Sequence, residues 1–190
     1  MKLPWRTKNE EEDPYWDFFI STPPSDELNW LGTTLRNAPE GAIKPVKDDI
    51  HTPEVMARHT KELGRFLGAD LVGIASTDRQ DYPFAVLCAF RAAYDPRTSP
   101  GIGGQLPVQR GLYVTFILSA WIRELGYQGT TKLEVNSEQL AANAGMGTLT
   151  SDGRLVTPEF GPKTHVAGAI LTDLPLALDG ESPLPLAGEG

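Results

Sequence analysis

The stretch that decides the fold is AGMGTLTSDGRLVTPEFGPKTHVAGAILT, residues 144–172. Ser151-Asp152-Gly153 near its centre predicts a tight turn, because glycine accepts the backbone angles that such turns need. The residues that follow are rich in β-branched and apolar side chains, which favours strands over Arg154–Thr157 and Thr164–Thr172. The stretch therefore predicts strands joined by turns.

Helices and further strands are predicted upstream of this stretch from capping residues and apolar spacing. They do not alternate as regular βαβ units, which favours an α+β domain with a largely antiparallel sheet. The helix that begins near Pro107 is apolar nearly all round, so we expect it to be the central buried helix. The predicted elements are a helix from Thr52-Pro53-Glu54 to Gly68, strands Leu71–Ala75 and Phe84–Phe90, a loop Tyr94–Pro107, a helix from Pro107 or Val108 to Leu125, and a helix from Asn136 to Ala144.

The sequence divides into an arm, one domain and a tail. Residues 1–51 read as an extended arm rich in proline and aromatic residues, in which the prolines interrupt every candidate helix. The aromatic side chains of the arm are expected to dock on the domain or on a second copy of it. The domain covers residues 52–178, and residues 179–190, rich in glycine and proline, form a tail predicted to be disordered.

Composition excludes several classes of function. A formal net charge of -8 without a compensating basic stripe argues against nucleic acid as a partner. The longest apolar run, Leu112–Ile122, is too short to span a membrane, and the charged N-terminus lacks a secretory signal, so we expect a cytoplasmic protein. Cys88 is the single cysteine, which excludes an iron-sulfur cluster held by this chain alone and suits an inert core thiol.

Glycines at 145, 147, 153 and 161 could let a flat ligand approach the main chain closely. Glycine-rich turns more often simply reverse the chain. Taken alone, this spacing leaves both interpretations open.

The order of five segments resembles the corrinoid-binding domain of reductive dehalogenases, and less closely epoxyqueuosine reductase, over about residues 52–176. No single motif decides the matter, but their common order is specific. The five segments are LGADLVGI (67–74), WIRELGY (121–127), AGMG (144–147), LVTPEFGP (155–162) and LTDLPL (171–176).

The resemblance implies a nitroreductase-like α+β sandwich, with a mostly antiparallel central sheet flanked by helices, that holds cobalamin. In that family the protein supplies the pocket and the cofactor carries the chemistry. By position, two loops and a strand residue are expected to lie against the corrin ring and its amide arms. The implied cofactor-binding residues are Gly145, Met146, Gly147, Thr148, Thr157, Pro158, Glu159, Phe160, Gly161 and His165.

Departures from the family pattern restrict this interpretation. No cysteines follow Leu176, so electrons would come from a separate donor protein or a diffusible reductant. Leu106, Pro107 and Val108 stand where the family commonly places a proton donor, which leaves Tyr113 as a substitute unless it serves only packing. His165 is either a cobalt ligand or acid-base group, or an ordinary strand histidine.

Two functional classes remain open at this point. The chain is either a reductase component acting on a small halogenated or oxygenated organic substrate, or a corrinoid carrier without turnover. A flavin-binding protein ranks last, because no basic cluster is placed to bind the flavin phosphate. A homodimer formed through the N-terminal arm is also consistent with the sequence.

Overall fold

The computed structural model of the chain describes residues 26–180 and, before them, Phe18 and Thr22; for residues 26–29 only the backbone is described. The elements in chain order are α1 (Asp26–Asn37), α2 (Pro53–Phe66), β1 (Leu71–Ser76), β2 (Phe84–Arg91), α3 (Ile102–Glu124), β3 (Gly129–Thr130), α4 (Ser137–Asn143), β4 (Thr148–Leu149), β5 (Leu155–Val156) and β6 (Thr164–Thr172).

One four-stranded antiparallel sheet, in the order β1-β2-β6-β3, forms the centre of the described chain. A separate hairpin pairs β4 with β5. The prediction of an α+β chain with an antiparallel sheet is therefore confirmed.

Successive residues of β2 point to opposite faces of the sheet, and both faces are covered by other elements. Val86, Cys88 and Phe90 pack with α2 and α3, whereas Leu87 and Ala89 pack with α4 and the β4-β5 hairpin. A strand buried on both faces reads as a continuous apolar run, as β2 does. Burial raises the pKa of the Cys88 thiol to about 12, which fits the inert core cysteine expected from the sequence.

The expectation that prolines exclude helices from residues 1–51 is wrong for α1, which occupies Asp26–Asn37. Pro24 and Pro39 flank this helix and do not interrupt it. The chain after α1 is held to the domain, since Lys44 N donates to Arg123 O at 3.0 Å. The part of the arm before Asp26 lies outside the described residues, apart from Phe18 and Thr22.

Helix α3 begins at Ile102, earlier than the predicted start at Pro107 or Val108. The glycines at its start made this region look like a loop. Gly104 instead permits close packing, since a Cβ at this position would lie 1.9 Å from Ser99 O. Pro107 is accommodated inside the helix, near its start.

The predicted strands lie close to the observed ones, with differences at their ends. The predicted strand Arg154–Thr157 is confined to Leu155–Val156, followed by an isolated bridge between Thr157 and Gly161. The two-residue strands β3 and β4 were not predicted, because runs this short carry no periodic signal.

Asp179, placed by the sequence in a disordered tail, is held against the edge strand β1. Its backbone N–H donates to Ile74 O at 2.9 Å, and its Oδ2 accepts from Ile74 N at 3.0 Å. Lys61 donates to the other carboxylate oxygen. The described structure therefore includes Asp179 and Gly180, and the rest of the predicted tail lies outside the described residues.

Two helical glycines provide a matched test of this packing. A Cβ on Gly111 would lie 2.3 Å from the Ala167 Cβ, whereas one on Gly32 would meet its nearest side-chain atom at 3.7 Å. We expect Gly111→Ala to lower the free energy of unfolding by about 1–3 kcal/mol through overpacking of α3 against β6.

Gly32→Ala is the control, expected to raise the free energy of unfolding by about 0.5–1 kcal/mol because alanine is the better helix former. Urea unfolding of both variants measures these changes. Equal effects of the two substitutions would contradict the close packing of α3 on β6.

Candidate functional site

Strand β6 contains a bulge where it pairs with the middle of β2. Leu87 pairs with Ala169 and Ala89 pairs with Val166, so two residues of β6 lie opposite Cys88 alone. Gly168, one of these two, has a φ angle of +101° and no heavy atom within 4 Å of the place where a Cβ would be. The bulge thus presents bare main chain to an open space.

The open space beside Gly168 is a wide depression of about 600 Å³. It exists because β3 pairs only with Leu171 and Thr172, so the outer edge of β6 before them has no strand partner among the described residues. The lining residues, besides Gly168 and Ala169, are Thr131, Leu133, Glu134, Val135, Asn136 and Ser137. We call this surface the β6 depression.

A second cavity, of about 320 Å³, surrounds the first residues of β6 and is called the His165 cavity here. Its charged groups are largely paired with one another. Arg154 donates to Asp95 at 2.7 Å, and Arg97 lies 3.4 Å from Glu138. The residues that line it are Ala92, Ala93, Asp95, Pro96, Arg97, Glu138, Arg154, Pro162, Lys163, Thr164, His165 and Val166.

The pKa of His165 is lowered, first by burial and then by the positive charge of Arg97, while Asp95 opposes the shift. The imidazole is therefore neutral at pH 7 and carries one N–H donor and one nitrogen acceptor. A neutral imidazole at the wall of a polar cavity can exchange hydrogen bonds with amide or hydroxyl groups of a ligand.

The predicted loop Gly145–Thr148 packs against other segments of the chain, near Gly73 and Val156. Gly147 is required there because a Cβ would lie 2.2 Å from Val156 O, and the Met146 sulfur would be 2.7 Å from a Cβ on Gly73. Gly145, with φ +70°, ends α4 in the left-handed conformation. Thr148, exposed, pairs with Val156.

The second predicted loop, Thr157–Gly161, closes on itself. Gly161 N donates to Thr157 O at 2.8 Å, and Thr157 N donates to Gly161 O at 3.2 Å. The Thr157 hydroxyl lies 3.0 Å from that of Thr164 and accepts from Phe160 N. Pro158 and Glu159 are exposed. These main-chain groups are used within the turn, so binding through this loop remains a prediction for its exposed side chains.

Tyr113, the candidate proton donor, lies on the outer side of α3 and is 46% exposed. It is not among the residues that line the β6 depression or the His165 cavity. The structure therefore does not bring Tyr113 together with His165, and its catalytic role remains a prediction.

Sequence reasoning missed the residues around Gly168. A signal was present, because an isolated glycine inside a strand pattern predicts a bulge or a close approach of another group. The segment Thr131–Ser137 carried no comparable signal. Its place beside β6 follows from the three-dimensional arrangement.

Among the side chains of residues 30–180, no group of three or more His, Cys, Asp and Glu is arranged to hold a metal ion. No helix of the same residues is both long and apolar enough to cross a membrane.

The chain matches no protein-family model and no curated protein. Among solved structures, it is similar to the catabolic reductive dehalogenase NpRdhA in complex with 3-bromo-4-hydroxybenzoic acid. The TM-score is 0.68 and the sequence identity 25%, over 89% of this chain and 26% of that chain. A reductive dehalogenase described for B12-dependent dehalogenation gives a TM-score of 0.66 and 26% identity, over 87% of this chain and 25% of the other.

These similarities define a reductive dehalogenase-like fold for the chain. They support the resemblance expected from the sequence at the level of the fold. The chain spans about a quarter of the length of the solved structures that it matches.

The titration of His165 tests the electrostatics of its cavity. We expect nuclear magnetic resonance to give a pKa below 6.5 for His165. Arg97→Gln should raise this pKa and Asp95→Asn should lower it, because each variant removes one charge that acts on the imidazole.

The same shift affects stability. Because the folded state holds the His165 pKa below its unfolded value, this group costs no stability above about pH 6.5, and stability is lost as the pH falls through the folded pKa. In His165→Gln, the contribution of this histidine to the difference in the free energy of unfolding between pH 7 and pH 5 should vanish. Unchanged His165 pKa values in Arg97→Gln and Asp95→Asn would contradict the effects of these two charges on the imidazole.

Proposed function

We propose that the chain is a nitroreductase-like sandwich that provides one wall of a corrinoid site, formed by the β6 depression and the adjoining His165 cavity. The observation that carries the proposal is the bulge at Gly168, which exposes main chain on a broad open surface in a fold similar to that of B12-dependent reductive dehalogenases. Cobalamin is the corrinoid expected.

The size and chemistry of the surface fit one face of a corrinoid. Drug-sized ligands occupy pockets of about 300–1,000 Å³, and a cobalamin is larger than such ligands. The His165 cavity, at about 320 Å³, cannot enclose one by itself. The open depression at Gly168 suits a flat group that is covered from one side, and the remaining walls would come from other polypeptide.

Gly168 and His165 would contribute to corrinoid binding in different ways. The bare main chain at Gly168 allows a flat ring to approach without a side chain between them. The neutral imidazole of His165 and the charged pairs around it suit hydrogen bonds to the amide arms of a corrin. When bound, the corrinoid supplies a reducible cobalt ion that can act on a carbon-halogen or carbon-oxygen bond.

We infer a reductase component that receives electrons from a separate donor and acts on a small halogenated or oxygenated organic substrate. A corrinoid carrier without turnover is the alternative, favoured by one observation: Tyr113 lies away from both parts of the proposed site. A positioned general acid contributes about 10²–10⁴ in rate, so a chain without one would turn over slowly at best.

Titration with hydroxocobalamin tests the site directly. We expect the full chain to bind hydroxocobalamin with a shifted visible spectrum and to bind flavin mononucleotide much more weakly. Gly168→Leu should weaken corrinoid binding at least about tenfold, equivalent to about 1.4 kcal/mol, because the side chain would occupy the space in front of the bulge.

The matched control is Gly153→Leu in the hairpin turn. Gly153 also has a positive φ, +77°, and no atom within 4 Å of a Cβ, so both substitutions place a side chain in open space on backbone that favours glycine. Circular dichroism would first establish that both variants fold. Equal corrinoid affinity in the two variants, or tight binding of flavin instead of corrinoid, would refute the proposed site.

An anaerobic assay separates the reductase from the carrier. The corrinoid-loaded chain would be mixed with a strong chemical reductant and a panel of halogenated aromatic and aliphatic compounds, and halide release measured. We expect slow release above that of free corrinoid, with Tyr113→Phe reducing it if the phenol donates the proton. Release no faster than that of free corrinoid would favour the carrier.

A further inference from the structure

A smaller cavity, of about 180 Å³, lies between α1, α3 and β6. We call it the Arg123 cavity. It shares Thr131, Gly168 and Ala169 with the β6 depression but extends away from it, beneath α1.

Cationic side chains outnumber acidic ones around this cavity: Arg36, Arg123 and Lys132 against Glu40. Arg123 is only 5% exposed and donates from Nη1 to Gly129 O at 2.6 Å. A guanidinium has five N–H donors, so this bond leaves further donors directed around the same group.

The single acid of the cavity already has partners. Glu40 Oε1 accepts from the Thr130 hydroxyl at 2.6 Å and from Thr131 N at 3.0 Å. It also attracts Arg123. Burial lowers the pKa of the Arg123 guanidinium, and the negative charge of Glu40 opposes this shift. The lining nevertheless keeps an excess of positive charge, which favours an anion.

The rest of the cavity is apolar. Leu35, Leu112 and Phe116 form its walls beside the small side chains of Ala38 and Ala167. The hydroxyl groups of Thr115 and Ser119 donate to helix carbonyls, Gly111 O and Phe116 O, and so do not make this wall strongly polar. An apolar cavity of about 150 Å³ is enough to hold a benzene ring.

We propose that the Arg123 cavity binds a small monocarboxylate with an apolar, ring-sized body. The carboxylate would lie at the cationic side, where arginine forms paired N–H···O bonds with it, and the body would lie against Phe116 and its apolar neighbours. Burial has already removed most water from Arg123, so a carboxylate that pairs with its remaining N–H groups would offset part of this desolvation. The proposal does not depend on corrinoid binding.

Calorimetric titration of the corrinoid-free full chain with benzoate tests this site. We expect saturable binding of benzoate at millimolar or lower concentration, with benzamide binding at least about tenfold more weakly because it lacks the charge. Arg36→Gln, at an exposed position, should weaken benzoate binding severalfold without affecting the core.

Two further variants test the apolar side of the cavity and the effect of a charge outside it. Ala38→Phe fills the apolar side and should abolish benzoate binding, while Arg58→Gln removes an exposed positive charge of α2 and should leave benzoate affinity unchanged. Thermal unfolding would be used to establish that each variant folds. Equal affinity for benzoate and benzamide, equal losses in Arg36→Gln and Arg58→Gln, or absence of benzoate binding would overturn the proposal, whatever hydroxocobalamin does.

Discussion

The antiparallel pairing of β2 with β6 is the interaction on which the rest of the structure depends. β2 is buried on both faces, so helices α2 and α3 must lie on one side and α4 with the β4-β5 hairpin on the other. A ligand can then reach the described sheet only from its ends and its edges. The short β3 leaves such an edge open beside Gly168, and the bulge opposite Cys88 places a glycine there.

The polar groups near this edge are organised in two different ways. Around His165, arginine and carboxylate side chains pair with one another, and burial keeps the imidazole neutral. Around Arg123, positive charge is in excess and the main-chain bond to Gly129 O satisfies only part of the guanidinium. The first arrangement suits neutral amide groups, and the second suits an anion, so the two cavities are expected to bind different chemistry.

The similarity to reductive dehalogenases concerns the fold of about a quarter of those chains. Within the described residues, β6 leaves main chain open at Gly168, and Tyr113 lies outside both the β6 depression and the His165 cavity. The corrinoid site that we propose would use β6 as one of its walls.

The sequence by itself determined the fold class and most of the longer elements, because capping residues and apolar periodicity act over a few neighbouring residues. The helix at Pro53–Phe66, the strands Phe84–Arg91 and Thr164–Thr172, and the short helix after Asn136 all follow from such local patterns. Local patterns could not determine which surfaces stay open. The glycines at 145 and 147 looked like a ligand cradle, yet Gly147 faces Val156 O of its own hairpin, while Gly168 faces open space. Only the tertiary structure shows what lies in front of each glycine, because this depends on chain segments far away in sequence.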